Sequence, residues 1–212
     1  MKILISDFDS TMTRYDFYDL VRKRWPVPPD DDPWQHYRAG KISHFDALAE
    51  IFRRIRGTEP ELLELADAME IDTDLAISLV QVREHGWEVA VASAGCNWYI
   101  NHLLAKAGAE VMVYANPGTF DPVKGLCMTL PENSPFLSPT TGVDKLGIVH
   151  DALQRADQVA FAGDGPPDLD PAMAVPPEFR FARGWLAQNL AQRGERFHAF
   201  DRWTDIARKL TC

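Results

Sequence analysis

Short apolar segments alternate with helix-like segments along most of the chain, and this alternation constrains the fold more than any other feature. Apolar runs of strand length occupy residues 1–5, 87–92, 111–114, 158–162 and 179–182. Segments with apolar residues at helical spacing lie between them, at 75–84, 98–107 and 144–153. Strands that alternate with helices favour a Rossmann-like parallel sheet, which binds ligands beyond the carboxyl ends of its strands. The sequence therefore predicts an α/β fold with a functional site at one edge of the sheet.

A stretch without strand patterns separates the first apolar run from the rest of the chain. Helical spacing extends over residues 15–25 and 42–55, and the capping-box pattern Thr58-Glu59-Pro60-Glu61 starts a third helix. Prolines and aspartates at positions 26–33 predict a loop, because proline cannot continue a helix. We therefore predict a small helical insert at residues 13–72, within a core made of residues 1–12 and 73–212.

Composition excludes several classes of function. A hydrophobic fraction of 46% and a charged fraction of 25% are ordinary for a soluble globular protein. The net charge of −9 argues against binding to nucleic acid, and no run approaches the roughly 20 apolar residues that span a bilayer. Cys96, Cys127 and Cys212 are odd in number and lack the spacing of a zinc site or a disulfide framework. With the first strand starting at Lys2, leaving no room for a signal peptide, we expect a cytoplasmic protein.

Two acids end the first predicted strand. Asp7 and Asp9 follow the apolar run at spacing two, which places them on the same side of a strand. Carboxylates that lie close together repel, and a divalent cation or a shared proton relieves the repulsion. Hard oxygen ligands suit Mg²⁺. The alternative reading, two solvated acids at a strand end, stays open at this point.

A third acid follows a later strand. Asp164 comes directly after the predicted strand at 158–162, and with Asp7 and Asp9 it completes an oxygen cage for Mg²⁺. Asp168 lies four residues further, where it reaches either this cage or a neighbouring lysine. The glycines on both sides of Asp164 permit tight turns and close backbone approach.

Groups that favour an anion occupy two other junctions. Ser93 supplies a hydroxyl after the second strand, and the amides of Ala94 and Gly95 at a helix start suit an anion. Lys145 adds a point charge near the start of another helix. Taken singly, Lys145 fits a solvated lysine, and Ser93 and Asp168 fit helix caps. Together with acids and a metal, however, these groups match the requirements of phosphoryl transfer.

The set resembles the haloacid dehalogenase (HAD) superfamily of aspartate-nucleophile phosphatases. Asp7-Phe8-Asp9-Ser10-Thr11 is similar to the first motif of that family, Ser93 to the second, Lys145 to the third and the segment 163–168 to the fourth. The four motifs occur in order and span the chain. The helical insert after the first motif resembles the cap of the subclass that contains phosphoserine phosphatases.

The resemblance implies a role for each of these residues. Asp7 attacks phosphorus and forms an aspartyl phosphate, and Asp9 protonates the leaving oxygen and then takes a proton from water. Asp7, Asp164 and the backbone carbonyl of Asp9 hold Mg²⁺, and Asp168 supports the metal site. Ser93 and Lys145 bind the phosphoryl group. Asp9 favours a phosphatase over a dehalogenase, because an alkoxide leaving group needs a proton from a general acid.

The substrate is less defined by the sequence. Asp16 takes the position at which phosphoserine phosphatases carry a glutamate that meets the substrate's amino group. The cap arginines Arg53, Arg54 and Arg56 are candidates for a carboxylate. The hairpin predicted at 119–130, the loop at 131–142 and the run at 181–183 resemble instead the methionine-salvage phosphatase that acts on 2-hydroxy-3-keto-5-methylthiopentenyl 1-phosphate.

Other functions and features stay open. A phosphotransferase or phosphomutase of the same family differs only in the group that accepts the phosphoryl. A phospho-acceptor signalling domain also gathers acids, a hydroxyl and a lysine, but it is shorter and has no cap. A catalytically silent relative is less compatible with the complete set of acids. We expect a small phosphomonoester as the substrate and a monomer or homodimer in solution. We also expect the six histidines to be surface or loop residues, and Trp25 and Trp34 to line the cap or pack in its core.

Overall fold

The computed structural model describes residues 1–212 and contains one six-stranded sheet with helices on both faces. The strands are β1 (Lys2–Ser6), β2 (Trp87–Cys96), β3 (Met112–Asn116), β4 (Gly118–Asp121), β5 (Gly125–Met128), β6 (Leu137–Ser138), β7 (Gly142–Val143), β8 (Gln158–Gly163), β9 (Arg180–Ala182) and β10 (His198–Ala199). The sheet has the order β10-β9-β8-β1-β2-β3, and every neighbouring pair is parallel. The prediction of an α/β fold with a parallel sheet is confirmed.

Ten α-helices surround the sheet. They are α1 (Phe17–Arg24), α2 (Pro33–Arg38), α3 (His44–Arg53), α4 (Glu59–Asp67), α5 (Leu75–Glu84), α6 (Asn97–Lys106), α7 (Lys145–Arg155), α8 (Leu169–Ala174), α9 (Gly184–Gln192) and α10 (Trp203–Leu210). Short 3₁₀ turns occupy Pro29–Asp31, Pro166–Asp168 and Pro177–Phe179. No helix combines the length and the apolar character that crossing a membrane requires.

The first strand lies in the middle of the sheet and separates two hydrophobic cores. Leu4 belongs to the core that includes residues of α5, α6 and α10, whereas Ile3 and Ile5 belong to the core under α7, α8 and α9. This split follows from the alternation of side chains along a strand. Because β1 pairs with β2 on one side and with β8 on the other, the carboxyl ends of these three strands meet at one edge.

Five helices lie between β1 and β2, and the first four of them, α1 to α4, fall within the helical insert predicted at residues 13–72. The capping box of Thr58 and Glu61 is present, and Ser43 and Asp46 form a second one at the start of α3. The loop prediction for positions 26–33 is right only in part, because Pro33 begins the short helix α2 with Asp32 as its N-cap. Proline is tolerated there, since the first turn of a helix needs no backbone donor. The division into a core and a separate cap stays a prediction.

The two segments that join the inserted helices to the sheet run side by side. Thr13 and Ile71 form an isolated antiparallel bridge. The next residue, Asp72, accepts hydrogen bonds from Thr204 N at 3.0 Å, Thr204 Oγ1 at 2.8 Å and Arg202 at 2.6 Å. The C-terminal helix therefore anchors the point at which the chain returns to the sheet.

Several element boundaries differ from the sequence predictions. Strand β2 continues to Cys96, four residues beyond the predicted end, because its pairing with β3 resumes at Asn116 after an irregular stretch. The last helix begins at Trp203, and Asp201 is not its cap; the backbone amides of Asp201 and Arg202 donate instead to Asp205. The hairpin predicted at 119–130 is confirmed as β4 and β5, and the loop at 131–142 leads into a small second hairpin.

Candidate active site

The carboxyl ends of β1, β2 and β8 open into one pocket of about 410 Å³ between the sheet and the inserted helices. Every residue that the sequence singled out for catalysis, phosphate or metal lines this pocket: Asp7, Asp9, Asp16, Ser93, Ala94, Gly95, Lys145, Asp164 and Asp168. They come from four separate stretches of the chain, so the fold brings together residues as distant in sequence as Asp7 and Asp168.

Lys145 joins two buried acids at the centre of the pocket. Its Nζ lies 2.6 Å from Asp7 Oδ1 and 2.6 Å from Asp168 Oδ1. Asp7 is 5% exposed, Lys145 is 6% exposed and Asp168 is 1% exposed. Burial alone would lower the pKa of Lys145, but the two carboxylates outweigh it and raise that pKa. Lys145 therefore stays positively charged at the point where an anion would bind.

Asp168 is fully engaged with its own loop and with Lys145. Its Oδ2 accepts hydrogen bonds from the backbone amides of Asp164 and Gly165, both at 3.0 Å, while its Oδ1 accepts from Lys145. A Cβ on Gly163 would lie 2.6 Å from Asp168 Cγ, so only glycine fits there. Of the two roles expected for Asp168, these contacts favour the support of the neighbouring lysine.

Asp9 is held by donors from two directions. Tyr99 Oη donates to Asp9 Oδ2 at 2.9 Å, and Ser93 Oγ donates to the same oxygen at 3.3 Å. The backbone amide of Phe17, at the start of α1, donates to Oδ1 at 3.3 Å. Burial raises the pKa of Asp9 against these hydrogen bonds, so the protonated form that a general acid needs is favoured.

The second predicted anion site has a geometry different from the expected helix start. Ser93, Ala94 and Gly95 lie inside β2, in the stretch where its register with β3 shifts, and α6 starts only at Asn97. The Gly95 amide donates to Ser93 Oγ at 2.9 Å. Asn116 on β3 supports this stretch, because its Nδ2 donates to the Ala94 carbonyl at 2.8 Å. The expectation that these amides belong to a helix start is therefore wrong.

Three carboxylates of the pocket lie close enough together for a bound cation to reduce their mutual repulsion. One carboxylate oxygen from each of Asp7, Asp164 and Asp168 lies within 4.8 Å of the other two. Burial and then the charge of Asp7 raise the pKa of Asp164 to about 10. Burial also raises the pKa of Asp7 to about 7, even though Lys145 opposes the shift. Such repulsion between buried acids, with hard oxygen donors, is typical of a divalent cation site.

The inserted helices supply the opposite wall of the pocket. Asp16 caps α1 by accepting from the Tyr18 amide through Oδ1 at 2.7 Å, which leaves Oδ2 without a protein partner. The ring of Trp34 packs against that of Tyr18, with centroids 4.3 Å apart and planes tilted by 34°, and both rings line the pocket. Arg38 is the one arginine among the residues that line this pocket. The wall thus combines an acid, an aromatic surface and one guanidinium.

The fold is similar to those of solved HAD-family hydrolases. A HAD-family hydrolase from Salmonella enterica serovar Typhi gives a TM-score of 0.68 at 19% identity, over 94% of this chain and 67% of that one. A phosphoserine phosphatase solved with bound substrate gives 0.64 at 15% identity, over 95% and 93% of the two chains. A phosphoserine phosphohydrolase-like protein from Francisella tularensis gives 0.63 at 16% identity, over 98% and 99%. No family model and no curated protein sequence matches the chain.

The chain has the HAD-family hydrolase fold. The fold expected from the four motifs is therefore confirmed, and it extends over nearly the whole chain. Sequence identities of 15–19% support a shared fold but not a shared reaction. The reaction is therefore inferred from the residues of the pocket.

Within this HAD fold, two predictions about the inserted helices need correction, those for the arginines and for His44. Arg54 pairs with Asp31 at 2.7 Å, and Arg56 donates to backbone carbonyls, so neither lines the pocket, and nor does Arg53. The expectation for the two tryptophans is confirmed, because Trp25 packs against the core and donates to the Arg56 carbonyl, whereas Trp34 lines the pocket. His44 is not a surface or loop residue: it lies on α3 and lines the pocket. Burial lowers the pKa of His44 to about 4, which makes it a neutral imidazole.

Sequence reasoning missed four residues of the HAD-fold pocket and its support: Tyr99, Asn116, His44 and Arg38. Tyr99 lies on the buried face of α6, where helical spacing calls for a large apolar residue, so no local signal marks its hydroxyl as functional. Of the four, only Asn116 could have been predicted from the sequence. It ends a strand, and an amide at the carboxyl edge of a parallel sheet lies near the ligand site.

Proposed function

We propose that the protein is a Mg²⁺-dependent phosphatase that hydrolyses a small phosphate monoester through an aspartyl-phosphate intermediate. The observation that carries the proposal is the pairing of Asp7 with Lys145 at 2.6 Å beside Asp164 and Asp9, at the carboxyl ends of neighbouring strands. A nucleophile, a cation for the phosphoryl oxygens, a general acid and a metal site therefore surround one point.

Two residues of the first motif divide the chemistry between them. Asp7 attacks phosphorus, the bond to the leaving oxygen breaks, and Asp9 gives that oxygen a proton. In the second half, Asp9 takes a proton from water as the water oxygen attacks phosphorus and Asp7 is released. Lys145 and the Ser93 hydroxyl hold the phosphoryl oxygens in both halves, which requires Ser93 to turn away from Asp9.

The donor set fits a magnesium ion. We assign its protein ligands to Asp7, Asp164 and the backbone carbonyl of Asp9, since both oxygens of Asp168 already accept hydrogen bonds from the protein. When bound, the ion neutralises charge on the phosphoryl oxygens and on the crowded acids. The charge of Asp7 helps to raise the pKa of Asp164, and a bound cation would relieve this repulsion, which supports the assignment.

The pocket wall favours a substrate that carries an amino group and a carboxylate. The free oxygen of Asp16 suits an ammonium, and Arg38 suits a carboxylate in bidentate geometry. A phosphoserine-like compound has both groups. The apolar lining formed by Trp34, Tyr18, Leu48 and Phe52 favours a second candidate, a phosphomonoester with an apolar tail of the methionine-salvage type.

Two alternatives use the same residues differently. A phosphotransferase or phosphomutase would deliver the phosphoryl group to a substrate hydroxyl instead of water. A phospho-acceptor signalling domain would keep the phosphoryl group on Asp7. The hydrogen-bonded general acid Asp9 favours turnover over storage of the phosphoryl group.

Phosphate release from a panel of phosphomonoesters, with Mg²⁺ and with EDTA, tests the activity. We expect turnover that needs Mg²⁺ and that is abolished in Asp7→Asn, while Asp30→Asn, an exposed aspartate without a side-chain partner, retains full turnover. Equal activity in the two variants would refute the assignment of the nucleophile. Phosphorylated protein that accumulates without release of phosphate would favour the signalling domain.

The same panel separates the two substrate candidates. Arg38→Ala should raise the KM for O-phosphoserine about tenfold or more and leave the KM for phosphoethanolamine, which lacks the carboxylate, nearly unchanged. Arg53→Ala removes an exposed arginine outside the pocket and serves as the matched control. A clear preference for phosphomonoesters with apolar tails would favour the second candidate.

We also propose a cytoplasmic location, which is supported by three cysteines that are all free. The expectation of a monomer or homodimer, without nucleic acid or membrane as partner, stays a prediction.

A further inference from the structure

The hydroxyl of Tyr99 reaches the active-site pocket from beneath it. Tyr99 lies in the first turn of α6, is 1% exposed, and places its Oη 2.9 Å from Asp9 Oδ2. The hydroxyl makes no other hydrogen bond to the protein. Core packing requires only the ring of Tyr99. The hydroxyl, whose single hydrogen bond goes to a candidate general acid, therefore calls for a separate explanation.

The surroundings hold the ring of Tyr99 in one orientation. Phe17 stacks on it with ring centroids 4.2 Å apart, and Phe52 contacts it edge-on at 6.5 Å. Gly95 completes the arrangement, because a Cβ at that position would collide with Tyr99 Oη and would lie 2.8 Å from Asp9 Oδ2. The space for this hydrogen bond therefore exists only because position 95 has no side chain.

The contacts around Asp9 distinguish its two oxygens. Oδ2 accepts from both Tyr99 and Ser93, whereas Oδ1 accepts only from the Phe17 amide at 3.3 Å. When Ser93 turns to the phosphoryl group, Oδ2 still accepts the hydrogen of the Tyr99 hydroxyl, and an oxygen that accepts such a hydrogen is a poor place for a further proton. The geometry therefore leaves Oδ1 as the oxygen that carries the proton.

We propose that Tyr99 is a positioning residue that turns Asp9 so that Oδ1 delivers its proton to the leaving oxygen. The inference rests on the proposed function, in which Asp9 is the general acid. As the phosphorus–oxygen bond of the substrate breaks and the bond from Asp7 to phosphorus forms, the proton moves from Oδ1 to the leaving oxygen. Asp9 becomes a carboxylate, and Tyr99 keeps its own proton throughout. In the second half, water returns a proton to Asp9 as it displaces Asp7.

The environment of Tyr99 supports this division of roles. Tyr99 is almost completely buried and its hydroxyl has no other partner, so its hydrogen is donated to Asp9 alone. A hydrogen bond to a charged group becomes stronger as Asp9 loses its proton, which stabilises the carboxylate formed in the first half of the reaction.

Tyr99→Phe tests the inference, because it removes one oxygen and keeps the buried ring. The probes are O-phosphoserine, whose alkoxide leaving group needs a proton, and p-nitrophenyl phosphate, whose leaving group does not. We expect kcat on O-phosphoserine to fall roughly tenfold to a hundredfold with KM unchanged, and kcat on p-nitrophenyl phosphate to fall less than about threefold. Tyr114→Phe, on β3 and without a hydrogen bond from its hydroxyl, should change neither.

Asp9→Asn shows whether the effect passes through Asp9. This variant should show the same selective loss on O-phosphoserine, of about 10² to 10⁴ in kcat. The double variant Asp9→Asn/Tyr99→Phe should then be no slower than Asp9→Asn alone, because the two residues act as one unit.

The outcomes separate this inference from the proposed function. If the wild-type protein hydrolyses neither these probes nor any other phosphomonoester of the panel with Mg²⁺, the proposed function fails and the role of Tyr99 fails with it. If the wild-type protein is active and Asp9→Asn shows the selective loss, but Tyr99→Phe slows both probes equally or neither, only the role of Tyr99 is overturned.

Discussion

Lys145 Nζ lies 2.6 Å from Asp7 Oδ1, although the two residues are 138 positions apart and both are almost completely buried. Asp168 Oδ1 accepts a second hydrogen bond from the same ammonium, also at 2.6 Å. A buried charge is stable only when it is paired, so this triad decides both the stability of the pocket and its charge toward a ligand.

Replacing Lys145 should destabilise the protein as well as inactivate it. Lys145→Met leaves Asp7 and Asp168 without their counter-ion, and we expect the free energy of unfolding at pH 8 to fall by about 3 kcal/mol in Mg²⁺-free buffer. Lys106→Met is the matched control, because Lys106 also contacts an aspartate at 2.6 Å but is 56% exposed. That pair should contribute less than about 1 kcal/mol. Similar losses in chemical denaturation of the two variants would contradict the role given to burial.

The crowded acids predict a stability that depends on pH and on magnesium. The pKa of Asp7 is raised to about 7 and that of Asp164 to about 10, so the folded protein holds protons that the unfolded chain has released. Their contribution to stability is complete below about pH 4 and is lost as the pH rises through these values. Thermal unfolding in EDTA should therefore show Tm falling from about pH 5 to about pH 9.

Mg²⁺ should reverse this loss at high pH. At a concentration a hundredfold above Kd, a ligand of the folded state adds about 2.7 kcal/mol, and the gain should be larger at about pH 9 than at about pH 5. Asp164→Asn should be more stable than the wild-type protein in EDTA at the higher pH, and Mg²⁺ should stabilise it little. Asp30→Asn should behave like the wild-type protein. A wild-type Tm that Mg²⁺ does not move would contradict the assigned ligands.

The two glycines that flank Asp164 should respond differently to substitution. Gly163→Ala places a Cβ 2.6 Å from Asp168 Cγ and 2.7 Å from its Cβ, and relief of this overlap should cost about 1–3 kcal/mol. Gly165→Ala meets no atom closer than 3.6 Å at an extended backbone, and its effect should stay within about 0.5 kcal/mol. Chemical denaturation measures both. Equal stabilities would show that Asp168 moves aside freely, and phosphatase assays would then show whether Lys145 keeps its place.

Asp72 should anchor the inserted helices through its charge. Burial would raise its pKa, but hydrogen bonds from Thr204, Asp74 and Arg202 outweigh this and lower it. Its stabilising effect is therefore present above about pH 4 and disappears as the pH falls further. We expect Asp72→Ala to lower the free energy of unfolding at neutral pH by about 2 kcal/mol, because buried donors of Thr204 lose their acceptor. Asp74→Ala, at an exposed and longer ion pair, should have little effect.

Much of the architecture was accessible from local sequence patterns. The alternation of apolar and amphipathic segments predicted the order of helices and strands. It also predicted that Asp7, Ser93 and Asp164 would meet, because parallel strands bring their carboxyl ends to one edge of a sheet. The hairpin at β4 and β5 and the capping box at Thr58 also follow from short-range chemistry. These features depend on neighbours in the chain or on a general rule of sheet topology.

The contacts that define the pocket were decided only by tertiary packing. Nothing near Tyr99 in the chain indicates that its hydroxyl meets Asp9, 90 positions away, or that Gly95 leaves room for it. Arg38 lines the pocket and Arg53, Arg54 and Arg56 do not. Arg38 lies on the short helix α2, whose proline-rich start led us to predict a loop. Residue type and spacing thus determined which side chains reach the edge of the sheet. Which partner each of them meets depended on how distant elements pack, because the periodicity of one segment carries no information about the surface that covers it.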